Sequence, residues 1–145
     1  AGWQRGMSAE RSGAYWPFWN MMNHLYHQGK RPPLIVLENV KGLLYGKSFH
    51  GLCESLGALG MKFGALLVDA KHFVPQSRPR VFIVAIDERI DVTGLSTESI
   101  PNNIWYPKAL TTAYQEFSAS LKERWIWWSL KQPETVVPEI STIFP

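Results

Sequence analysis

Residues 74–85 read VPQSRPRVFIVA, a stretch that places three long polar side chains directly before an apolar run. Gln76, Arg78 and Arg80 recur at every second position. Alternate side chains of extended backbone point the same way, and the two prolines of the stretch disfavour helix. We therefore expect the three side chains to project from one side of a short extended segment. A solvated strand edge with two surface arginines has the same pattern, so the neighbouring sequence has to distinguish the two interpretations.

The first ninety residues alternate between helical and extended periodicity. The predicted elements are a helix over 13–28 with Ser12 as its N-cap, a strand over 34–40, a helix over 48–59, and strands over 61–70 and 80–87. This order predicts an α/β fold. The continuous apolar run 34–37 is typical of a strand buried on both faces, as in a parallel sheet. The short connection before the last strand predicts an antiparallel neighbour at the end of the sheet.

The remainder of the chain has a weaker pattern. Residues 91–108 are predicted as loop, and 110–130 carry an apolar stripe that predicts a helix. The tryptophan-rich stretch RWIWWS, 124–129, is interpreted as core or interface, although aromatic side chains also stack on nucleic-acid bases. We therefore predict a layered α/β domain over 1–90 and an irregular or partly helical segment over 91–145.

Composition limits the class of protein. The chain has 145 residues, 46% hydrophobic and 19% charged, which predicts a globular domain. Its net charge of +3 is compatible with a polyanionic partner. A single cysteine, Cys53, excludes an internal disulfide and a cysteine-cluster zinc site and favours a reducing compartment. Cys53 lies on the apolar face of a predicted helix, so we expect a buried, unreactive thiol. The pair His24 and His27 is interpreted as surface or packing residues rather than metal ligands.

Two polar residues end the strand predicted over 34–40. Glu38 and Asn39 follow four aliphatic residues and fall at the carboxyl end of the strand, where ligands bind in open α/β sheets. An acid at such a position must be paired, protonated or exposed in a cleft, because burying a lone carboxylate is costly. Glu38 is therefore either a carboxyl directed into a ligand crevice or a strand-ending acid that caps a loop.

The residues Glu-Asn-Val at 38–40, followed by a helix, a strand and Gln-x-Arg-x-Arg at 76–80, form a combination that resembles the cytosine-specific DNA methyltransferases acting on carbon 5 of the base. The opening stretch AGWQRGMSAERSGAYW, 1–16, is similar to the family segment that follows a Pro-Cys-Gln nucleophile loop. The resemblance covers residues 1 to about 87. It implies the C-terminal half of a Rossmann-like sheet of an S-adenosylmethionine-dependent methyltransferase, with an antiparallel last strand.

The resemblance also implies roles for individual residues. In the family, a cysteine thiolate adds to carbon 6 of cytosine and makes carbon 5 nucleophilic. Glu38 would hydrogen-bond or protonate the ring nitrogen beside the exocyclic amine, and Asn39 would position Glu38 and the nucleophile loop. Arg80 would contact the base carbonyl or a flanking phosphate, while Gln76 and Arg78 would hold the pocket. The cytosine must leave the duplex to be reached, so base flipping is implied.

The opening loop and the missing motifs complete the interpretation. Arg5 and Arg11 would contact DNA phosphates, the alternative being ordinary solvated arginines. The sequence contains no Pro-Cys pair and no glycine-rich loop for S-adenosylmethionine, and most of the family's target-recognition region is missing. We therefore expect an internal portion of a methyltransferase that is inactive alone, from a bacterial or phage protein of the cytoplasm that is either a restriction-modification enzyme or a solitary methyltransferase. Its expected partner is double-stranded DNA.

Two other interpretations stay open. The chain could be a non-catalytic DNA-binding subunit of a split enzyme, completed by a chain that supplies the nucleophile, or a degenerate homologue. It could also be an unrelated α/β domain whose motifs match by chance.

Overall fold

The computed structural model describes residues 13–134 and 141 as a mixed α/β structure with antiparallel sheets. The helices are α1 (Tyr15–His27), α2 (Ser48–Ala58), α3 (Lys108–Gln115) and α4 (Ala119–Glu123). The strands are β1 (Leu34–Val40), β2 (Met61–Asp69), β3 (Pro79–Asp87), β4 (Ser96–Thr97) and β5 (Trp127–Trp128). Short 3-10 turns follow β1 at Lys41–Leu44 and β2 at Ala70–His72. No helix in the described ranges is both long and apolar enough to cross a membrane.

The main sheet has the order β1-β3-β2, with β3 antiparallel to both neighbours. The antiparallel β2–β3 connection is confirmed, but β3 lies between the other two strands rather than beyond them. Strands β1 and β2 therefore run in the same direction without pairing. Their carboxyl ends meet at the start of β3, where Arg80 is opposite both Val40 and Val68. This end of the sheet holds the predicted catalytic residues Glu38, Asn39 and Arg80.

The prediction that 34–37 is buried on both faces is wrong for the described part of the chain. Ile35 is 5% exposed, whereas Leu34 and Val36 on the opposite face are 53% and 55% exposed. The expected parallel pairing is also wrong, because β1 pairs antiparallel with β3. The physical reason is that β1 lies at the edge of the described sheet and only one of its faces is covered.

The covered face of the sheet packs against α2. Phe49, Leu52, Cys53 and Leu56 of this helix are buried with the inward side chains of β2 and β3, which confirms the prediction for Cys53. Helix α1 is fastened to α2 through Ser55. The Trp19 indole donates to the Ser55 carbonyl oxygen over 2.8 Å, and the Tyr15 hydroxyl bonds the Ser55 hydroxyl. The N-cap predicted at Ser12 lies outside the described residues.

The prediction of one continuous helix over 110–130 is wrong, because the structure has two short helices there. Helix α3 ends at Gln115, and Ser118 begins α4 by accepting a hydrogen bond from the Leu121 amide over 3.3 Å. Two short helices that bury the same side give the same apolar stripe as one long helix, so periodicity could not separate them. The tryptophans at 125, 127 and 128 are buried, which confirms their interpretation as core.

The segment after α4 covers the outer edge of β2. The Phe63 amide donates to the Arg124 carbonyl over 3.0 Å, and the Ile126 amide donates to the Phe63 carbonyl over 2.7 Å. This approach requires a glycine at position 64, since a Cβ there would lie 2.0 Å from the Ile126 carbonyl oxygen. One edge of the sheet is thus covered by the C-terminal segment.

Candidate active site

Glu38 and Arg80 meet across neighbouring strands. Glu38 is opposite Phe82 and Val40 is opposite Arg80, so the two charged residues are diagonal neighbours on one face of the sheet. The Arg80 Nε lies 3.6 Å from the Glu38 Oε1, and the side chains are 26% and 54% exposed. This distance exceeds the 2.7–2.9 Å or so of a tight charge-assisted hydrogen bond. The two groups therefore form a loose, open ion pair with hydrogen-bonding capacity left for a ligand.

The side chains of Arg80 and Asn39 each make a hydrogen bond to the local backbone. The Arg80 Nη1 donates to the Pro79 carbonyl oxygen over 2.8 Å, which fixes the guanidinium beside the start of β3. Asn39 points to the opposite face from Glu38, because successive side chains of a strand alternate. Its Oδ1 accepts a hydrogen bond from the Val40 amide over 2.8 Å. The Asn39 carboxamide therefore shapes the backbone that carries Glu38 into the following turn.

Gln76 and Arg78 lie in the loop 70–78, which joins β2 to β3, and both side chains are exposed. Gln76 belongs to a bend in which its amide donates to the Val74 carbonyl oxygen over 2.7 Å. The expectation of one extended segment from Gln76 to Arg80 is therefore wrong for Gln76, because this local hydrogen bond bends the chain before the strand. The sheet nevertheless brings the loop beside Glu38 and Arg80, at the common end of the three strands.

Asp69, which sequence reasoning missed, organises this loop. Its Oδ1 accepts hydrogen bonds from the amides of Lys71 and Arg78 over 3.0 and 2.8 Å, and its Oδ2 accepts one from the Ser77 hydroxyl over 2.9 Å. Burial raises the pKa of Asp69, but these hydrogen bonds outweigh it and hold the pKa below its ordinary value. A signal was available, because Asp69 ends its strand just as Glu38 and Asn39 end theirs.

The candidate site lies on a basic end of the molecule. The segments 38–47 and 69–80 carry Lys41, Lys47, Lys71, Arg78 and Arg80 against only Glu38 and Asp69. Both acids are already engaged, one by Arg80 and the other by loop hydrogen bonds. The excess positive charge at this end favours an anionic ligand.

The remaining candidate residues do not belong to this end of the sheet. Arg5 and Arg11 lie outside the described residues. Burial raises the pKa of the Cys53 thiol well above its ordinary value, and the side chain is fully buried, so it is a poor nucleophile. Within residues 13–134 and 141, no group of three or more His, Cys, Asp or Glu side chains could hold a metal ion.

The chain is similar in sequence to known DNA methyltransferases. A family model described as C-5 cytosine-specific DNA methylase matches residues 1–136. Type II methyltransferase M.BspRI of Lysinibacillus sphaericus is 40% identical over 65 residues, which are 42% of this chain and 15% of the relative. Orphan methyltransferase M.SPBetaI of Bacillus phage SPbeta is 37% identical over 68 residues, 44% of this chain and 15% of the relative.

A fungal relative aligns over more of the chain. DNA (cytosine-5-)-methyltransferase DMT5 of Verticillium dahliae is 32% identical over 117 residues, 74% of this chain and 5% of the relative. The chain therefore spans only a small part of the length of the curated relatives that it matches. Since the family match covers most of its length, the chain belongs to the C-5 cytosine-specific DNA methylase family.

Proposed function

We propose that the whole protein containing this chain transfers a methyl group from S-adenosylmethionine to carbon 5 of cytosine in DNA, and that this chain supplies one wall of the base pocket. The observation that carries the proposal is the open ion pair of Glu38 and Arg80 beside the loop 70–78. A carboxyl and a guanidinium on one sheet face match the polar edge of cytosine, which offers a ring nitrogen, an amine and a carbonyl oxygen.

Glu38 stabilises the reacting base. A thiolate that adds to carbon 6 pushes electron density toward the ring nitrogen beside the exocyclic amine. The Glu38 carboxyl, which takes up a proton from solvent before the cytosine enters, hydrogen-bonds that nitrogen and donates the proton to it as the charge develops. Its loose contact with Arg80 allows the carboxyl to turn toward the base without breaking a tight hydrogen bond. Arg80 then contacts the base carbonyl or the flanking phosphate.

DNA is the proposed partner of the basic end. The lysines and arginines that follow β1 and β2 neutralise backbone phosphates, while Gln76 and Arg78 hold the pocket. The ring nitrogen that Glu38 contacts is occupied by base pairing in duplex DNA, so the target cytosine is flipped out of the duplex. Arg5 and Arg11 are proposed to contact the same DNA from the opening segment.

S-adenosylmethionine supplies the electrophilic methyl group when bound. No residue of this chain is assigned to it, because the sequence contains no glycine-rich loop of the kind expected to hold it. We propose that the sheet is the C-terminal half of a Rossmann-like sheet whose remaining strands hold the cofactor. We infer that the chain alone is inactive, and that the protein acts in the cytoplasm of a bacterium or on behalf of a phage.

A second candidate function rests on the exposed outer face of β1. The chain would be a non-catalytic DNA-binding subunit that a complementary polypeptide completes. In that case the gene containing residues 1–145 would encode no Pro-Cys-Gln segment, and methyl transfer would require a second gene product.

The test is a methylation assay of the whole protein with radiolabelled S-adenosylmethionine and duplex DNA, followed by nucleoside analysis. We expect the label in 5-methylcytosine, and no transfer by residues 1–145 alone. Label in another base, or no transfer by the whole protein, would overturn the proposed function. Transfer that appears only after a second gene product is added would favour the subunit alternative.

A further inference from the structure

One carboxylate closes the loop that carries Gln76 and Arg78. Asp69 receives two backbone hydrogen bonds on Oδ1, from Lys71 at the start of the loop and from Arg78 at its end. The Ala70 amide completes the closure by donating to the Arg78 carbonyl oxygen over 3.3 Å. The two ends of a nine-residue connection, 70–78, are therefore held together by a single side chain and one backbone bond.

The middle of the loop is braced separately. The amides of Phe73 and Val74 both donate to the Ala70 carbonyl oxygen, over 2.8 and 2.9 Å. The Phe73 ring stacks on Trp105 with the ring centroids 6.2 Å apart. Trp105 is 1% exposed, and its indole donates to the Leu130 carbonyl oxygen over 2.9 Å. The aromatic contact fixes where the loop lies, while Asp69 fixes how its two ends meet.

The position of Asp69 links this closure to the pocket. Asp69 is opposite Pro79 in the β2–β3 ladder, one residue from the row in which Val68, Arg80 and Val40 are aligned. The Arg78 amide held by Asp69 lies two residues before Arg80 along the same backbone. A change in this closure would therefore displace Gln76 and Arg78 relative to Glu38 and Arg80. Misplacement by about 1 Å can cost an enzyme about a hundredfold in rate.

We propose that Asp69 is the positioning residue that sets the loop 70–78, and with it Gln76 and Arg78, against the Glu38–Arg80 pair during methyl transfer. This inference rests on the proposed function and deepens it. Asp69 does not touch the base; it acts through the backbone of the loop. Asp69 is only partly buried and ends its strand, so we expect its replacement to change the rate of methyl transfer more than the melting temperature.

The test compares Asp69→Ala with Asp69→Asn in the whole protein. Alanine removes every acceptor, whereas asparagine keeps an Oδ1 that accepts from the Lys71 and Arg78 amides. We expect Asp69→Ala to lower the single-turnover rate of methyl transfer by about 10- to 100-fold, and Asp69→Asn to stay within about threefold of the unsubstituted protein. The melting temperature should change by less than about 3 °C in both variants.

The chain offers a matched control in Asp91. This aspartate forms the same kind of turn, since its Oδ1 accepts from the Thr93 amide over 2.9 Å and from the Thr93 hydroxyl over 2.6 Å. It follows the opposite end of β3, so Asp91→Ala should leave the rate unchanged. Ser77→Ala removes only the third hydrogen bond to Asp69 and should lower the rate by about two- to fivefold, which keeps the test decisive if Asp69→Ala does not fold.

Rescue by asparagine without a change in melting temperature supports positioning. A normal rate for Asp69→Ala would overturn the inference alone, as would equal losses of rate and melting temperature in both Asp69 variants. If Asp69→Ala does not fold, a normal rate for Ser77→Ala overturns it. If the unsubstituted protein transfers no methyl group, the proposed function fails first and the role of Asp69 in that reaction fails with it.

Discussion

The two ends of the three-stranded sheet carry ion pairs of opposite character. At the end where β1 and β2 begin, Arg31 and Arg89 hold Asp87 over 2.9 and 2.7 Å, and the Arg31 and Asp87 side chains are only 5% and 9% exposed. At the other end, Glu38 and Arg80 are 3.6 Å apart and far more open to solvent. One end holds its charges in short contacts, whereas the other holds them in a longer and more solvent-exposed contact.

The local backbone explains the tight end. Helices α1 and α2 both finish there, and Gly29 and Gly60 adopt positive φ values of 69° and 71° as the chain leaves each helix. The carbonyl ends of two helices favour nearby cations, which is where Arg31 and Arg89 lie. The Arg31 guanidinium also rests 5.3 Å from the centroid of the Tyr26 ring.

The number of positive and negative side chains also differs between the two ends of the sheet. The segments 28–34 and 87–91 carry Lys30, Arg31 and Arg89 against Asp87, Glu88 and Asp91, which leaves no net charge. The end that holds Glu38 and Arg80 has an excess of positive charge. The difference is that charges are closely paired and balanced at one end, whereas at the other they are loosely paired with a positive excess.

The same substitution at the two ends should have opposite consequences. Arg80→Met should lower methyl transfer by the whole protein about 100- to 1,000-fold, because an electrostatic contact to the reacting base is lost. It should change the free energy of unfolding by less than about 1 kcal/mol, since the pair is exposed. Arg31→Met should destabilise the fold more than Arg80→Met does, because a side chain that is 5% exposed loses its hydrogen bond to Asp87. Kinetic assays and denaturant midpoints of both variants check this. If both variants changed the rate of methyl transfer and the free energy of unfolding equally, the proposed difference between the two ends would be wrong.

Acid should weaken the end of the sheet that holds Asp87. The side-chain and backbone hydrogen bonds from Arg89, with the positive charge of Arg31, hold the pKa of Asp87 well below its ordinary value. A lowered folded-state pKa stabilises the fold above the unfolded-state value of about 4, and this contribution is lost as the pH falls below that value. Denaturation midpoints between pH 2 and pH 6 should therefore fall less steeply for Asp87→Asn than for the unsubstituted protein. Parallel curves would contradict this origin of acid sensitivity.

The residues of the Glu38–Arg80 pair could be predicted from the sequence, but their geometry and the ion pairs at the opposite end could not. The run 34–40 and the stretch 74–85 identify Glu38 and Arg80 through local periodicity and residue type. Their pairing depends on β3 entering between β1 and β2, a non-local choice that periodicity along one strand does not contain. The hydrogen bonds that make Asp69 the closure of the loop 70–78 join residues two to nine positions apart, and side-chain pattern alone does not reveal them.

The most direct measurement compares Glu38→Gln with Glu88→Gln in single-turnover methyl transfer by the whole protein. Both remove one carboxylate from an ion pair, since Glu88 lies 2.8 Å from Arg124 beyond the opposite end of β3. We expect Glu38→Gln to lose at least about a hundredfold in rate, because a glutamine amide cannot donate the proton, and Glu88→Gln to stay within about threefold. A Glu38→Gln protein that methylates cytosine as fast as the Glu88→Gln control would contradict the assignment of Glu38 and Arg80 to the base pocket.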